Sequence, residues 1–213
     1  GSGTIQITSG STSNYHPSWQ PTSGARYDFD GDGRSDISVF RPSEGTWYVN
    51  RSTAGFSATQ FGISTDKITP ADFDGDHKAD IAVFRDGTWY WLNSTTGTLS
   101  VEQFGSAVDI PVPGDYDGGG RDELAVYRNG VWWMLDLATR QISVTSFGLP
   151  TDQPVPADYD GDGRADLFGR NQVDGRNVIG RRANASMLQA VPAVTDTRWH
   201  NLLLALACTA GCL

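Results

Sequence analysis

The chain has 213 residues, a formal net charge of −9, 11% aromatic residues, 25 glycines and 10 prolines. That length can bury a sizeable core in one or two domains, and the aromatic share excludes a disordered chain. Acidity argues against nucleic acid as a partner; yet fifteen of the 25 acidic residues, with Asp122 left out, hold ligand-type positions in four short loops, so the charge is local rather than a clue to a basic ligand.

Residues 4–8, Thr-Ile-Gln-Ile-Thr, alternate as a short strand, and residues 9–24 form a Ser/Thr/Gly/Pro-rich connector anchored only by Tyr15 and Trp19. Residues 1–25 are read together as this strand and connector. Gly1-Ser2-Gly3 shows no signal-peptide pattern and is expected to be a mature end. A repeat begins near Arg26. It opens with Asp28-Phe29-Asp30-Gly31-Asp32-Gly33-Arg34-Ser35-Asp36, followed by Ile37–Arg41, a Glu44-Gly45 turn, Thr46–Asn50 and a strand ending Gln60-Phe61-Gly62. The second copy gives the loop Asp72–Asp80, then Ile81–Arg85, Asp86-Gly87, Thr88–Asn93 and Val101–Gly105. The third gives Asp115–Glu123, Leu124–Arg128, Asn129-Gly130, Val131–Leu135 and Val144–Gly148. Asp-Gly and Asn-Gly between apolar runs mark hairpins, so each copy holds about four short strands, one before the loop and three after.

A fourth loop, Asp158–Asp166, is followed by Leu167-Phe168-Gly169-Arg170-Asn171, and the aromatic strand gives way to Arg176–Arg182. No acidic loop follows near residue 201, where His200-Asn201-Leu202-Leu203-Leu204 stands. The loops start 44, 43 and 43 residues apart, a period that signals a repeat architecture. Both faces of Trp89-Tyr90-Trp91-Leu92 are apolar, so each small sheet needs cover on both sides. The expected fold is all-β, a β-propeller of four-stranded blades at about 26–62, 63–105, 106–148 and 149–170 onward, with an open solenoid as the alternative. Residues 171–213 diverge. They and the Thr4–Thr8 strand either build a degenerate fifth blade that closes the ring, the favoured reading, or pair with another subunit. The apolar run Leu202–Ala207 is too short to span a bilayer.

Each complete loop places carboxylates at positions 1, 3, 5 and 9. Such crowding repels unless a cation sits among the acids, and hard oxygen ligands with a backbone carbonyl at position 7 suit Ca²⁺. An EF-hand is excluded, because position 12 is Val39, Val83 or Gly169 rather than Glu. Position 6 calls for a positive φ, which Gly33 and Gly163 adopt freely and His77 tolerates; His77 is read as a turn residue. The third loop carries Gly119 at position 5 and Glu123 at position 9, so a weak or vacant site is expected there.

The period, the Asp-x-Asp-Gly-Asp-Gly-Arg-x-Asp loops and the Phe-Gly ending each copy resemble the FG-GAP/VCBS repeats of integrin-α-type propellers, over roughly residues 26–170. The resemblance implies a calcium loop between the first two strands of each blade and about three structural Ca²⁺ ions. Its side-chain ligands would be Asp28, Asp30, Asp32 and Asp36; Asp72, Asp74, Asp76 and Asp80; and Asp158, Asp160, Asp162 and Asp166. Arg34, Lys78 and Arg164 would offer backbone carbonyls. Asp115, Asp117, Arg121 and Glu123 form the weak fourth set.

Trp47, Trp89 and Trp132 hold one repeated position, with Tyr48, Tyr90 and Trp133 beside them; core packing is favoured over a sugar platform. Arg41, Arg85 and Arg128 recur and are expected to pair structurally, with loop carboxylates or over a Trp. Asn50, Asn93 and Asn184 open glycosylation sequons, two of them at equivalent repeat positions, where turn chemistry is the competing explanation. Cys208 and Cys212 are read as a local disulfide, in keeping with an oxidising compartment. No catalytic motif appears, and His16, His77 and His200 share none. The sequence therefore reads as a secreted or cell-surface, calcium-stabilised, non-catalytic binding module for adhesion or lectin-like recognition of a glycan or extracellular protein. A fibre or array subunit joined through terminal strands is the first alternative, a polysaccharide-active enzyme the second.

Overall fold

The computed structural model describes residues 27–171 and 177–180, with side chains up to Arg170. The Thr4–Thr8 strand, the connector, Asn184, Cys208, Cys212 and most of residues 171–213 lie outside the described residues. All the regular structure described is β, in fourteen strands and four antiparallel sheets.

Sheet 1 holds β1 (Ile37–Arg41), β2 (Thr46–Arg51) and β3 (Gly55–Gln60). Sheet 2 holds β4 (Lys67–Ile68), β5 (Ile81–Arg85), β6 (Thr88–Leu92) and β7 (Leu99–Gln103), in that spatial order. Sheet 3 repeats it with β8 (Ile110–Pro111), β9 (Leu124–Arg128), β10 (Val131–Leu135) and β11 (Ile142–Ser146). Sheet 4 holds β12 (Asp152–Pro154), β13 (Leu167–Asn171) and β14 (Asn177–Gly180). The strand expected ahead of the first loop falls outside the described residues. The other sheets have the short strand, the acidic loop and the following strands in the expected order, and β14 pairs with β13 in sheet 4 although the aromatic sequence has gone.

The hairpins follow their turn chemistry. Asp86-Gly87 and Asn129-Gly130 have φ of 50° and 88°, and 52° and 81°, the paired positive values of a turn matched to strand twist.

Sheets 1 to 3 each have two different faces. One carries Trp with Phe or Tyr; the other carries Ile or Leu, Val and Arg. The Trp face of each of these sheets packs on the aliphatic face of the next. Trp47, Val49 and Phe29 meet Ala79 and Val83. Phe84, Trp89 and Trp91 meet Leu124, Val126 and Leu135. Tyr127, Trp132 and Met134 meet Ala165 and Leu167. The repeated tryptophans are core: Trp47, Trp89 and Trp132 are at most 1% exposed. Each indole N–H donates to the carbonyl of the Phe that ends its own repeat, Phe61, Phe104 or Phe147, at 2.8–2.9 Å. The Phe-Gly signature thus closes each sheet by receiving a buried Trp donor. The Gly allows the turn that follows, with φ of 109°, 113° and 98° at Gly62, Gly105 and Gly148.

Stacking leaves one face uncovered among the described residues. In sheet 1, Ile37 and Val39 are 72% and 54% exposed, whereas their counterparts Leu124 and Val126 of sheet 3 are 0% and 2% exposed. The short inner strands β4, β8 and β12 line a single cavity of about 240 Å³ together with Tyr27, with Pro70, Pro113 and Pro156 recurring around it. Three sheets therefore present their inner edges to one common space.

Candidate metal centre

Each acidic loop is first a hydrogen-bonded turn. The position 1 carboxylate receives the N–H groups of positions 4 and 6. Asp28 takes Gly31 and Gly33 at 2.7 Å, and Asp72 takes Gly75 and His77 at 2.6 and 2.8 Å. Asp115 takes Gly118 and Gly120, and Asp158 takes Gly161 and Gly163. Positive φ at position 6 follows, 65° at His77 and 82° at Gly33, which makes His77 a turn residue as its spacing suggests. Position 9 pins the start of the loop: Asp36, Asp80, Glu123 and Asp166 accept the position 2 N–H at 2.6–2.9 Å. Glu123 makes this bond as well as Asp does, which accounts for the substitution in loop 3.

The turns then gather acids. Carboxylate oxygens lie within 4.8 Å of one another in Asp28, Asp30 and Asp32; in Asp72, Asp74 and Asp80; in Asp115, Asp117 and Glu123; and in Asp158, Asp160 and Asp166. Loop 1 thus joins positions 1, 3 and 5, and the other loops positions 1, 3 and 9. In loops 1 and 2 one position 3 oxygen, Asp30 Oδ1 or Asp74 Oδ1, is buried without a hydrogen-bond donor. A bare buried carboxylate oxygen beside further carboxylates is costly, and a hard divalent ion such as Ca²⁺ suits it. Loop 3 lacks this feature, since Asp117 Oδ1 accepts the Gly119 N–H at 2.7 Å.

Burial and mutual repulsion mark positions 1 and 9 of loops 2 and 3. Burial, with Asp74 nearby, pushes the Asp80 carboxyl up to about 7. Burial, with Asp117 and Asp115, pushes Glu123 up to about 8. Burial likewise raises Asp72 and Asp115. Asp30 goes the other way, to about 2, because the Thr53 hydroxyl and backbone donors favour its charged form. At Asp76 burial would raise the carboxyl, but the Ser94 and Thr95 hydroxyls and Lys78 outweigh it and lower it.

The position 7 side chains act between loops. Arg121 donates from Nη2 to the Asp74 carbonyl at 2.7 Å. A Cβ on Gly31, Gly75 or Gly118 would lie 3.1, 3.3 or 2.8 Å from Lys78, Arg121 or Arg164 of the next sheet, so position 4 is glycine partly to admit that side chain. The backbone also crosses. Ala79, Asp122 and Ala165, at position 8, donate to the position 1 carbonyls of Asp28, Asp72 and Asp115 at 2.6–2.7 Å. Asp122 adds a side-chain bond by accepting the Asp72 N–H at 2.8 Å.

The repeated arginines do pair structurally, but not with the loops. Arg85 forks onto Asp66 at 2.6 and 2.8 Å, and Arg128 onto Asp109, just ahead of the short inner strands. Arg41 instead meets Glu44. The guanidiniums also cover Tyr48, Tyr90 and Trp133, at 4.6–5.1 Å from the ring centres. The second aromatic column is therefore capped by cations.

The sequons Asn50-Arg51-Ser52 and Asn93-Ser94-Thr95 are not equivalent. Ile37 pairs with Asn50 and Ile81 with Leu92, so Asn50 matches Leu92, and the longer first hairpin shifts the apparent alignment by one residue. Asn93 is a turn residue: its amide donates to Thr98 and Ser100, and its carbonyl accepts the Trp91 indole N–H. Sequence reasoning assigned Ser52, Thr53, Ser94 and Thr95 no task. All four reach the acidic loops, a link hidden by the 14–23 residues between partners.

A family model described as FG-GAP-like repeat matches residues 28–83, from the first acidic loop into β5. No curated protein sequence matches the chain significantly.

Proposed function

We propose, from the premise that this chain is an FG-GAP-like repeat protein, that it is a calcium-stabilised β-propeller acting as a non-catalytic binding module outside the cell. The observation that carries the calcium reading is the buried, donor-less oxygen on Asp30 and on Asp74, each within a trio of converging carboxylates. Ca²⁺ would be held by Asp28, Asp30 and Asp32 in loop 1, and in loop 2 by Asp72, Asp74 and Asp80 together with Asp76 at position 5. Loop 4 offers Asp158, Asp160 and Asp166. The ion neutralises charges that otherwise oppose the turn, so its role is structural. The shared cavity of β4, β8 and β12 supports a radial arrangement of sheets.

As a binding module, the chain would engage a protein or glycan through exposed loops and outer strands. Among the described residues the repeated tryptophans are buried and the rings beside them are capped by arginine, which favours a protein ligand over a sugar-stacking one. The calcium reading is tested by thermal melts of the full chain in EDTA and in millimolar Ca²⁺. A higher midpoint in Ca²⁺ is expected, and superimposable curves refute it. Glycan-array binding would move the ligand to sugars, and turnover on a polysaccharide panel would move the chain to an enzyme.

The uncovered face of sheet 1 favours a second reading. Ile37 and Val39 stand where the other sheets are buried against a neighbour, so this face receives either a closing blade built by the termini or another copy of the chain. Light scattering over a range of concentrations separates the two: closure gives a constant monomer mass, and assembly gives a mass that rises.

A further inference from the structure

The turns between the second and third strands of sheets 1 and 2 close over the acidic loops. In sheet 1, Ser52 donates its hydroxyl to Asp32 and its N–H to Asp36, while Thr53 donates both groups to Asp30 at 2.7 and 2.8 Å. In sheet 2, Ser94 donates its hydroxyl to Asp76 at 2.8 Å and its N–H to Asp80 at 2.6 Å. Thr95 donates its hydroxyl to Asp76 at 2.9 Å and its N–H to Asp74 at 3.2 Å. Each turn therefore holds the carboxylates of positions 3, 5 and 9 at once, leaving bare one oxygen at position 3.

Sheet 3 lacks both halves of this contact. Register aligns Leu135 with Leu92, so Leu137 and Ala138 stand where Ser94 and Thr95 do. Neither side chain can donate. The Thr139 hydroxyl and the Ala138 N–H turn back onto Asp136, and a cavity of about 220 Å³ lined by Asp117, Glu123, Asp136 and Thr139 lies between turn and loop. This is also the loop with Gly119 at position 5 and with no bare buried oxygen on Asp117. The hydroxyl donors and the position 5 acid, Asp32 or Asp76, are present together in two sheets and missing together in the third.

We infer that Ser52-Thr53 and Ser94-Thr95 are positioning residues for the cation, forming an outer layer that fixes the carboxylates in the arrangement a divalent ion requires. The inference rests on the calcium reading above and adds to it which chain segment sets affinity. Donors that orient metal-binding carboxylates typically change affinity by about 10–100-fold when removed. The hydroxyls do not touch the ion. They stop the acids from turning out into water, so repulsion among the acids is met before the ion arrives.

The experiment is calorimetric titration of the metal-free full chain with Ca²⁺ at fixed salt. Wild type is expected to show at least two sites, and Ser94→Ala with Thr95→Val to weaken one of them about tenfold or more. Ser94→Thr, which keeps the hydroxyl, should retain wild-type affinity, and Thr139→Val, whose hydroxyl serves Asp136, should change nothing. Should the double variant fail to fold, the converse construction decides. Gly119→Asp with Ala138→Thr recreates the Asp76–Thr95 pair in sheet 3 and should bind one more equivalent of Ca²⁺ than Gly119→Asp alone. A Cβ at Gly119 comes 2.8 Å from Asp117 Oδ1, the free end of a side chain that can rotate. No Ca²⁺ binding by wild type would overturn the calcium reading itself. Binding by wild type with unchanged affinity in the Ser94/Thr95 variant, or no extra equivalent in the built site, would overturn the positioning role alone.

Discussion

The backbone N–H of Asp122 donates to the carbonyl of Asp72 at 2.7 Å, and the Asp122 carboxylate accepts the Asp72 N–H at 2.8 Å. Two successive acidic loops are thereby joined by a reciprocal pair, residues fifty apart in sequence, at the first position of one and the eighth of the other. Asp122→Ala removes the side-chain half and leaves a partly buried N–H without its acceptor. A loss of about 1–2 kcal/mol is expected from denaturant titration. Ala79 and Ala165, at the same loop position, make only the backbone bond.

Glycine at position 4 is a matter of the neighbouring sheet as well as of φ. Gly118→Ala places a Cβ 2.8 Å from Arg164 Nε at a φ of +79°, whereas Gly33→Ala, at a φ of +82°, meets nothing within 4 Å. Both substitutions carry the left-handed penalty of about 1–2 kcal/mol, so the excess loss at Gly118 measures the contact between sheets. Combining Gly118→Ala with Arg164→Ala should bring the loss back toward the Gly33 value in a double-mutant cycle.

Asp109 controls the acid limb of stability. It is fully buried, and burial alone would raise its carboxyl, but the Arg128 guanidinium and the Ser106 N–H outweigh burial and hold it below its ordinary value. A depressed carboxyl stabilises the fold above the unfolded value of about 4 and loses that contribution as pH falls through the folded value. Asp109→Asn should therefore cost about 2 kcal/mol at pH 7 and flatten the decline of melting temperature below about pH 4.

Sheet 4 lacks the arginine its neighbours have. Asp152 is 4% exposed, and its Oδ1 has no donor. Register sets Asn171 opposite Asp152, where sheets 2 and 3 have Arg85 and Arg128 for Asp66 and Asp109. Asn171→Arg should raise stability by about 1–2 kcal/mol, and the gain should vanish when Asp152 is also changed to Asn.

The loops themselves should rank unequally. Asp30→Ala removes the position 3 acid of a loop with a bare oxygen, so on the calcium reading it should lower the melting temperature in Ca²⁺ more than Asp117→Ala in loop 3. In EDTA the gap between the two should narrow, because neither then loses a bound ion. An unchanged gap in chelator would separate loop stability from metal.

The strands, the hairpins and the acidic loops were legible because each is a local pattern repeated at a fixed period. Asp86-Gly87 and Asn129-Gly130 name their own turns, and the left-handed φ of His77 follows from loop position alone. Contacts at long range were hidden. Arg85 was expected near the loop acids or a Trp, yet its acid is Asp66, on the segment leading into β4. Ser52 and Ser94 sat inside sequon patterns that drew attention to the asparagine rather than the hydroxyl. Asp122 seemed a surplus acid in a damaged loop, because its partner Asp72 belongs to the preceding sheet. β14 keeps its place although its sequence carries no strand signature like Trp-Tyr-Trp, through backbone pairing with β13.

Because the Trp face always meets the Ile/Val face of its successor, the stack has a direction, like a screw thread. A segment of one period carries one face of each kind and one half of each joint. In-frame duplication or loss of such a segment still sets unlike faces together at the new junction, whereas loss of half a period would leave an incomplete sheet.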